Sequence, residues 1–248
     1  MSGHNRWSKI KHQKAASDAK KSKGWSKLLK EIAVAAKSGS DPAGNARLRM
    51  IIDKARAANI PNDTIKRAAQ KGAGELGGAN YEDLVYEVYG PGGTAAVVEV
   101  LTDNRNRAAS EIRKILERNH GKLAGAGAVT YLFRRAGHIL FEKRVGEDAL
   151  MEAALEAGAE DVRSEGEGFV VITDAHHASD VKDALEKHGM TSVHFEVGLF
   201  PETTVRLEGA DAENMVRLVN ALEDHDDVQN VYANYEVDEA LYDKLAGA

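Results

Sequence analysis

The hydrophobic rhythm of this chain changes at a glycine-rich stretch, residues 72–80 (GAGELGGAN), and that change restricts its fold more than any other feature. Before it, apolar residues recur with a helical period of about 3.6; after it, they alternate with a strand period of about 2. A segment patterned for one period does not settle as the other. The chain therefore divides into a helical part and a sheet-based part joined by a flexible linker. In the first part, an amphipathic helix is expected over 26–37, with Leu28, Leu29, Ile32, Ala35 and Ala36 on one side and Lys27, Lys30 and Lys37 opposite. Ser38-Gly39-Ser40-Asp41-Pro42 breaks it. A second helix runs over about 45–58 with Leu48, Ile51, Ile52 and Ala55 inward, flanked by Arg47 with Lys54 and Arg49 with Arg56. A third starts at Pro61-Asn62-Asp63-Thr64, with Asn62 as the expected N-cap, and stops at Lys71 before Gly72.

Beyond the linker, strands are expected over 84–89 and 94–102, joined by Gly90-Pro91-Gly92-Gly93 as an antiparallel hairpin. A helix to Asn119 and a strand over 128–133 follow. Residues 137–197 read strand, helix, strand, strand, helix, strand, a βαββαβ unit of the ferredoxin-like kind. A strand over 203–207, a helix over 211–223 and a strand over 228–237 complete the chain. Joining 94–133 to 203–237 gives βαββαβ a second time. One such module then sits inside the middle connection of another, a place where insertion is tolerated because its two ends lie close together. The expected fold is α+β. A basic three-helix domain (1–77) precedes a discontinuous βαββαβ domain (78–134 plus 203–248) that carries an inserted βαββαβ domain (135–202).

The overall charge of −6 conceals a division. Residues 1–75 hold 17 Lys/Arg and 6 Asp/Glu, a balance of +11, while the remainder stands at −17. Such asymmetry points to an interaction surface on one part, toward which a polyanion is drawn while the rest repels it. The first 30 residues carry nine of the cations (Arg6, Lys9, Lys11, Lys14, Lys20, Lys21, Lys23, Lys27 and Lys30) against Asp18. Both tryptophans, Trp7 and Trp25, and His12 lie among them. Lys and Arg beside phosphate release condensed counterions, and flat rings offer stacking surfaces to unpaired bases. Two readings stand: a nucleic-acid-binding segment, which the composition favours, and a solvated basic arm with Trp25 in a helix core and Trp7 pinning it down.

Other motifs carry less. Gly72-Ala73-Gly74-Glu75-Leu76-Gly77 matches G-x-G-x-x-G but follows a helix and opens none, the wrong context for a dinucleotide. Residues 121–127 (GKLAGAG) lack the Lys-Ser/Thr ending of a P-loop and read as a loop able to approach a partner's backbone. His176-His177 cannot share a helix face, so no metal is expected there. Glu223-Asp224-His225-Asp226-Asp227 has no spaced ligand loop and reads as a solvated turn. No constellation of catalytic residues and no cofactor site is expected. Asn104-Arg105-Asn106-Arg107, at a strand end and helix start, either grips phosphate through Arg105 and Arg107 or is a capped loop whose arginines meet local acids. The absence of Cys, of an apolar signal stretch and of an 18-residue apolar run points to a cytoplasmic protein with no membrane partner.

Several strings together resemble the YebC family: residues 3–14 (GHNRWSKIKHQK), 59–65 (NIPNDTI), 89–93 (YGPGG), 101–107 (LTDNRNR) and 221–232 (ALEDHDDVQNVY). Trp25 and Ala46 stand where many members have Phe and Pro. The resemblance implies a cytoplasmic, non-enzymatic, three-domain protein with no catalytic residue to carry over. Bacterial members are described as probable transcriptional regulators that bind promoter DNA. Related members act on the ribosome, one as a mitochondrial translational activator and bacterial ones by relieving stalling at proline-rich stretches. The residues lean the same way as the second activity: cations spread over an arm and helix faces suit backbone tracking more than base reading. The expected partner is nucleic acid, ribosomal RNA or promoter DNA, with ribosomal proteins as further contacts. The sequence gives no oligomeric state. A sequence-specific promoter binder and an enzyme or sensor built on the ferredoxin-like modules are the competing readings, the second without positive support.

Overall fold

The computed structural model describes residues 18–75 and 81–246. Three helices open the described chain: α1 (Asp18–Ala35), α2 (Ala46–Ala57) and α3 (Asn62–Gly72). Their apolar stripes meet in a core of Ile32, Ala35, Ala36, Leu48, Ile51, Ile52, Ala55, Ile60, Ile65 and Ala69, with Trp25, Leu28 and Leu29 packed around it. Asn45 joins two of them. Its Oδ1 accepts from Leu48 N to cap α2, while its Nδ2 donates to the Ala35 carbonyl at the end of α1. Helix α3 crosses α1 so closely that a Cβ on Gly72 would lie 1.9 Å from the Ala33 carbonyl oxygen. Asn62 is not the cap expected for α3: it is the first helical residue, behind Pro61, and its side chain accepts instead from Arg56 Nε at 3.4 Å.

The middle body starts with the hairpin β1 (Glu82–Tyr89) and β2 (Ala95–Thr102), followed by α4 (Arg105–Arg118) and the short β3 (Lys122–Leu123). After the inserted segment come β8 (Val205–Arg206), α7 (Gly209–Glu223), β9 (Val228–Ala233), β10 (Tyr235–Glu236) and α8 (Glu239–Ala246). The four-stranded sheet runs β3-β1-β2-β9, antiparallel throughout. Helices α4 and α7 cover the face that carries Val88, Ala96, Val98 and Val100, with Ile112, Leu116, Met215 and Leu218 in the core.

Three expected strands come out differently, that over 228–237 by splitting into β9, in the four-stranded sheet, and β10, which pairs with β8. Residues 128–133 were expected to pair; instead 130–132 form a 3-10 turn, because the Glu87 carboxylate takes the amides of Gly127, Val129 and Thr130. Only Val205 and Arg206 of the expected 203–207 strand pair, in a separate parallel ladder with β10. The hairpin has already laid β1 between β2 and β3, so the place that strand would take is filled. The 239–246 helix, which the sequence pattern did not lead us to expect, packs on α7.

The inserted part is β4 (Phe133–Glu142), α5 (Glu147–Glu156), β5 (Asp161–Glu165), β6 (Gly168–Asp174), α6 (Ala178–Lys187) and β7 (His194–Pro201). Its sheet order, β5-β6-β4-β7 and antiparallel, is that of a ferredoxin-like βαββαβ module. Gly198 of β7 faces the ring of Tyr232 in β9, where a Cβ would come within 2.7 Å, so the inserted module packs directly against the middle sheet.

Candidate nucleic-acid interface

Helices α2 and α3 carry cations on every exposed flank because their inward positions are already taken by Leu48, Ile51, Ile52, Ala55, Ile65 and Ala69. Arg47, Arg49, Lys54, Arg56, Lys66, Arg67 and Lys71 are all exposed, and Asp53 and Asp63 are the acids of the same two helices. Asp53 meets Arg56 at 3.3 Å, an exposed pair that leaves the surface strongly positive. Arg49 also donates to the Pro42 carbonyl at 3.4 Å. On the flank toward the middle sheet, burial raises the Glu31 carboxyl above its ordinary range, an effect reinforced by Glu99 and Asp83 and partly offset by Lys54 and Arg47.

Of the sequence-derived candidates, Arg6, Trp7, Lys9, Lys11, His12 and Lys14 lie outside the described residues. Lys20, Lys21 and Lys23 fall in the first turns of α1. Arg105 is exposed at the start of α4. Lys27, Lys30 and Arg107 are engaged with the middle body. Lys27 Nζ donates to the Glu223 carbonyl at 2.7 Å. Lys30 Nζ lies 2.7 Å from Asp227 Oδ1 and also donates to the Asp226 carbonyl. Arg107 meets Asp227 Oδ2 at 2.8 Å and Asp103 at 3.0 Å, while the buried Thr102 hydroxyl donates to Asp227 Oδ2. One carboxylate from the start of β9 thus holds a lysine of α1, an arginine of α4 and a hydroxyl of β2.

This Asp227 side chain is only 4% exposed. Burial alone would raise its carboxyl; Lys30, Arg107 and Thr102 outweigh that and hold it down at about 2. Next to it, His225 Nδ1 accepts from Asp227 N, so the proton of the neutral ring sits on Nε2 and is directed to Glu111 at 2.9 Å. These groups line a cleft of about 510 Å³ between the helical part and the middle body, with Lys30, Arg107, Glu111 and residues 224–227 on its walls. Lys37 adds a third tie, donating to the Tyr81 carbonyl at 2.9 Å.

Sequence reasoning missed the role of Asp227 because it sits in an acidic run read as a solvated turn. Asp224 and Asp226 are indeed less buried than Asp227, which water hardly reaches. The signal in the sequence was its position directly before the apolar strand Val228–Ala233, where a side chain turns inward. Lys66, Arg67 and Lys71 were also left off the candidate surface, although they extend the exposed cationic flank of α2. Among the described residues, no three His, Asp or Glu side chains converge as metal ligands, and no helix is long and apolar enough to cross a membrane.

Comparisons with known proteins match both parts of the chain. A family model described as the TACO1/YebC protein N-terminal domain covers residues 5–75, and one described as the TACO1/YebC second and third domain covers 81–235. A protein of Geotalea uraniireducens named "probable transcriptional regulatory protein" is 52% identical over 246 residues, spanning 99% of this chain and 100% of that one. A protein of the same name from Pelotomaculum thermopropionicum is 52% identical over 243 residues, 96% of this chain and 100% of that one. The crystal structure of a conserved hypothetical protein from Aquifex aeolicus superimposes with a TM-score of 0.79 at 42% identity, covering 90% of this chain and 93% of that one. With both family models matched and relatives this similar over their full length, the chain belongs to the TACO1/YebC family.

Proposed function

We propose that this protein is a non-enzymatic, nucleic-acid-binding regulator of gene expression whose target is RNA on the ribosome, where it relieves stalling at proline-rich stretches. The observation that carries the nucleic-acid reading is the flank of α2 and α3: seven exposed Lys/Arg against two acids, on helices rigidly packed on α1. Phosphate-tracking contacts need that distribution and no base-reading helix. The three ties of Lys27, Lys30 and Lys37 to the middle body support a head held at a defined angle to the two modules, as an RNA-and-protein surface would demand. Ribosomal proteins are then natural contacts for the modules. Fluorescence anisotropy with labelled RNA and duplex DNA, run from low to physiological salt, tests the binding. Reversing Arg47, Arg49, Lys54 and Arg56 to Glu is expected to lower affinity at least about tenfold and flatten its salt dependence; unchanged affinity rejects the surface. Co-sedimentation with ribosomes, and translation in vitro of a reporter with a proline run, test the target.

Binding to promoter DNA is the second reading, favoured by the name its relatives carry. It requires that a promoter fragment outcompete scrambled duplex by about 10³ or more at physiological salt. A ratio near one removes it.

A further inference from the structure

Six large apolar side chains are exposed among the described residues, and three of them, Val85, Tyr89 and Tyr131, gather around one carboxylate. Glu87 lies on the outer face of β1, the face away from α4 and α7, with Val85 and Tyr89 about 7 Å to either side on the same face. Its two oxygens accept from the amides of Gly127, Val129 and Thr130, which fixes the 124–130 loop and delivers Tyr131 beside the strand, 72% exposed. The loop's tip is Gly125-Ala126-Gly127, exposed and without bulk, so a chain can approach its backbone.

A cation completes the corner. Lys122 stands opposite Tyr89 in the ladder, its Nζ 5.6 Å from the ring centroid. Lys122 meets no carboxylate among the described residues. His120 follows α4 in the left-handed conformation, φ 60°, where glycine is the ordinary residue. A nonpolar partner would have no use for the Lys122 cation beside the ring. Exposed rings with a flanking Lys suit an unpaired strand, whose bases stack while a phosphate meets the cation.

We propose that Tyr89, Tyr131 and Lys122, with the loop tip at 125–127, form a second nucleic-acid contact that takes an unpaired strand. This rests on the nucleic-acid reading above and adds to it a site on the otherwise acidic body. The site orients the target across the molecule: phosphates along α2 and α3, an unstacked segment at this corner.

The test uses the full chain and a labelled 12-nucleotide single-stranded RNA, with a 12-base-pair RNA duplex as control. Tyr131→Ala, at a position exposed enough not to disturb folding, is expected to weaken single-strand binding about tenfold and to leave the duplex unaffected; Tyr131→Phe, which keeps the ring, restores it. A 4-thiouridine oligomer is expected to crosslink to the tryptic peptide 123–134. If the wild type binds the single strand and Tyr131→Ala binds it equally, or the crosslink maps only to α2 and α3, this contact is wrong while the nucleic-acid reading stands. If the wild type binds neither RNA, both fall.

Discussion

Asp227 offers the sharpest check on how the helical head is attached. In the folded protein its carboxyl sits at about 2 against an ordinary 3.8, because the cations of Lys30 and Arg107 and the Thr102 hydroxyl outweigh the cost of its burial. A tenfold change in proton affinity is worth about 1.4 kcal/mol, so this group contributes about 2 kcal/mol at neutral pH. A depressed carboxyl stabilises the fold above its unfolded pKa. That contribution is complete above about pH 5, declines through 3.8, and is lost as the pH falls through 2. Asp227→Asn removes it outright and leaves Lys30, whose side chain is 18% exposed, without its counter-charge. Breaking such a pair from one side costs about 3 kcal/mol, or about 6–12 °C in Tm for a chain of this size.

The assay follows from where the chromophores are. Both tryptophans precede residue 30, and Trp25 donates its indole N–H to the Ala58 carbonyl inside the helical core. Tryptophan fluorescence therefore follows the head, while circular dichroism follows the whole chain. The wild type should lose Tm steeply between pH 4 and pH 2; Asp227→Asn should begin lower at pH 7 and vary less over the same interval. Its fluorescence transition should also come earlier than the dichroism transition, because the head has lost its attachment. Equal Tm values at pH 7, or parallel pH profiles, would refute the assignment of Asp227 as the joint.

Further substitutions test other parts of the construction. Glu87→Gln replaces a carboxylate that accepts three amides with a group that can accept at only one oxygen; a loss of about 1–3 kcal/mol is expected, with faster amide exchange confined to 124–130. Burial raises the Glu87 carboxyl but its three amide donors prevail and lower it, so the loop should loosen in acid, not in alkali. Gly72→Ala forces a methyl onto the Ala33 carbonyl and should lower the fluorescence-detected transition, leaving the modules' dichroism nearly unchanged. His120→Gly relieves a left-handed residue and should stabilise the fold by about 1 kcal/mol, read as a rise in Tm; no gain would mean that the imidazole makes a stabilising contact of its own.

Helices α2 to α7 and the inserted module were legible in the sequence because each writes its own pattern locally, whereas α8 and the first turns of α1 were not. Leu48, Ile51, Ile52 and Ala55 mark one helix face, and residues 133–201 form every strand of their sheet without outside help. The middle sheet was harder to read because its strands come from distant places: β1 and β2 adjacent in sequence, β9 more than a hundred residues later. The apolar run at 128–133 looks like a strand to any periodicity test. Its amides are claimed by a glutamate some 40 residues upstream, which no local pattern records. Asp227 was obscured for the same reason: its partners come from three separate elements, and it stands at the end of an acidic run whose other members lie nearer the solvent.

On the proposed function, the charge asymmetry serves two physically distinct purposes. Lys30 faces a carboxylate that water hardly reaches, so dissolved salt screens that attraction weakly. Arg47, Arg49, Lys54 and Arg56 stand in solvent, where salt competes with any polyanion for them. Raising ionic strength should consequently release a bound nucleic acid well before it loosens the head from the body. If both events came at one salt concentration, the buried and exposed lysines and arginines would have to be acting as a single pool. The separation between an internal joint and an outward-facing binding surface, on which the proposed function depends, would then be lost.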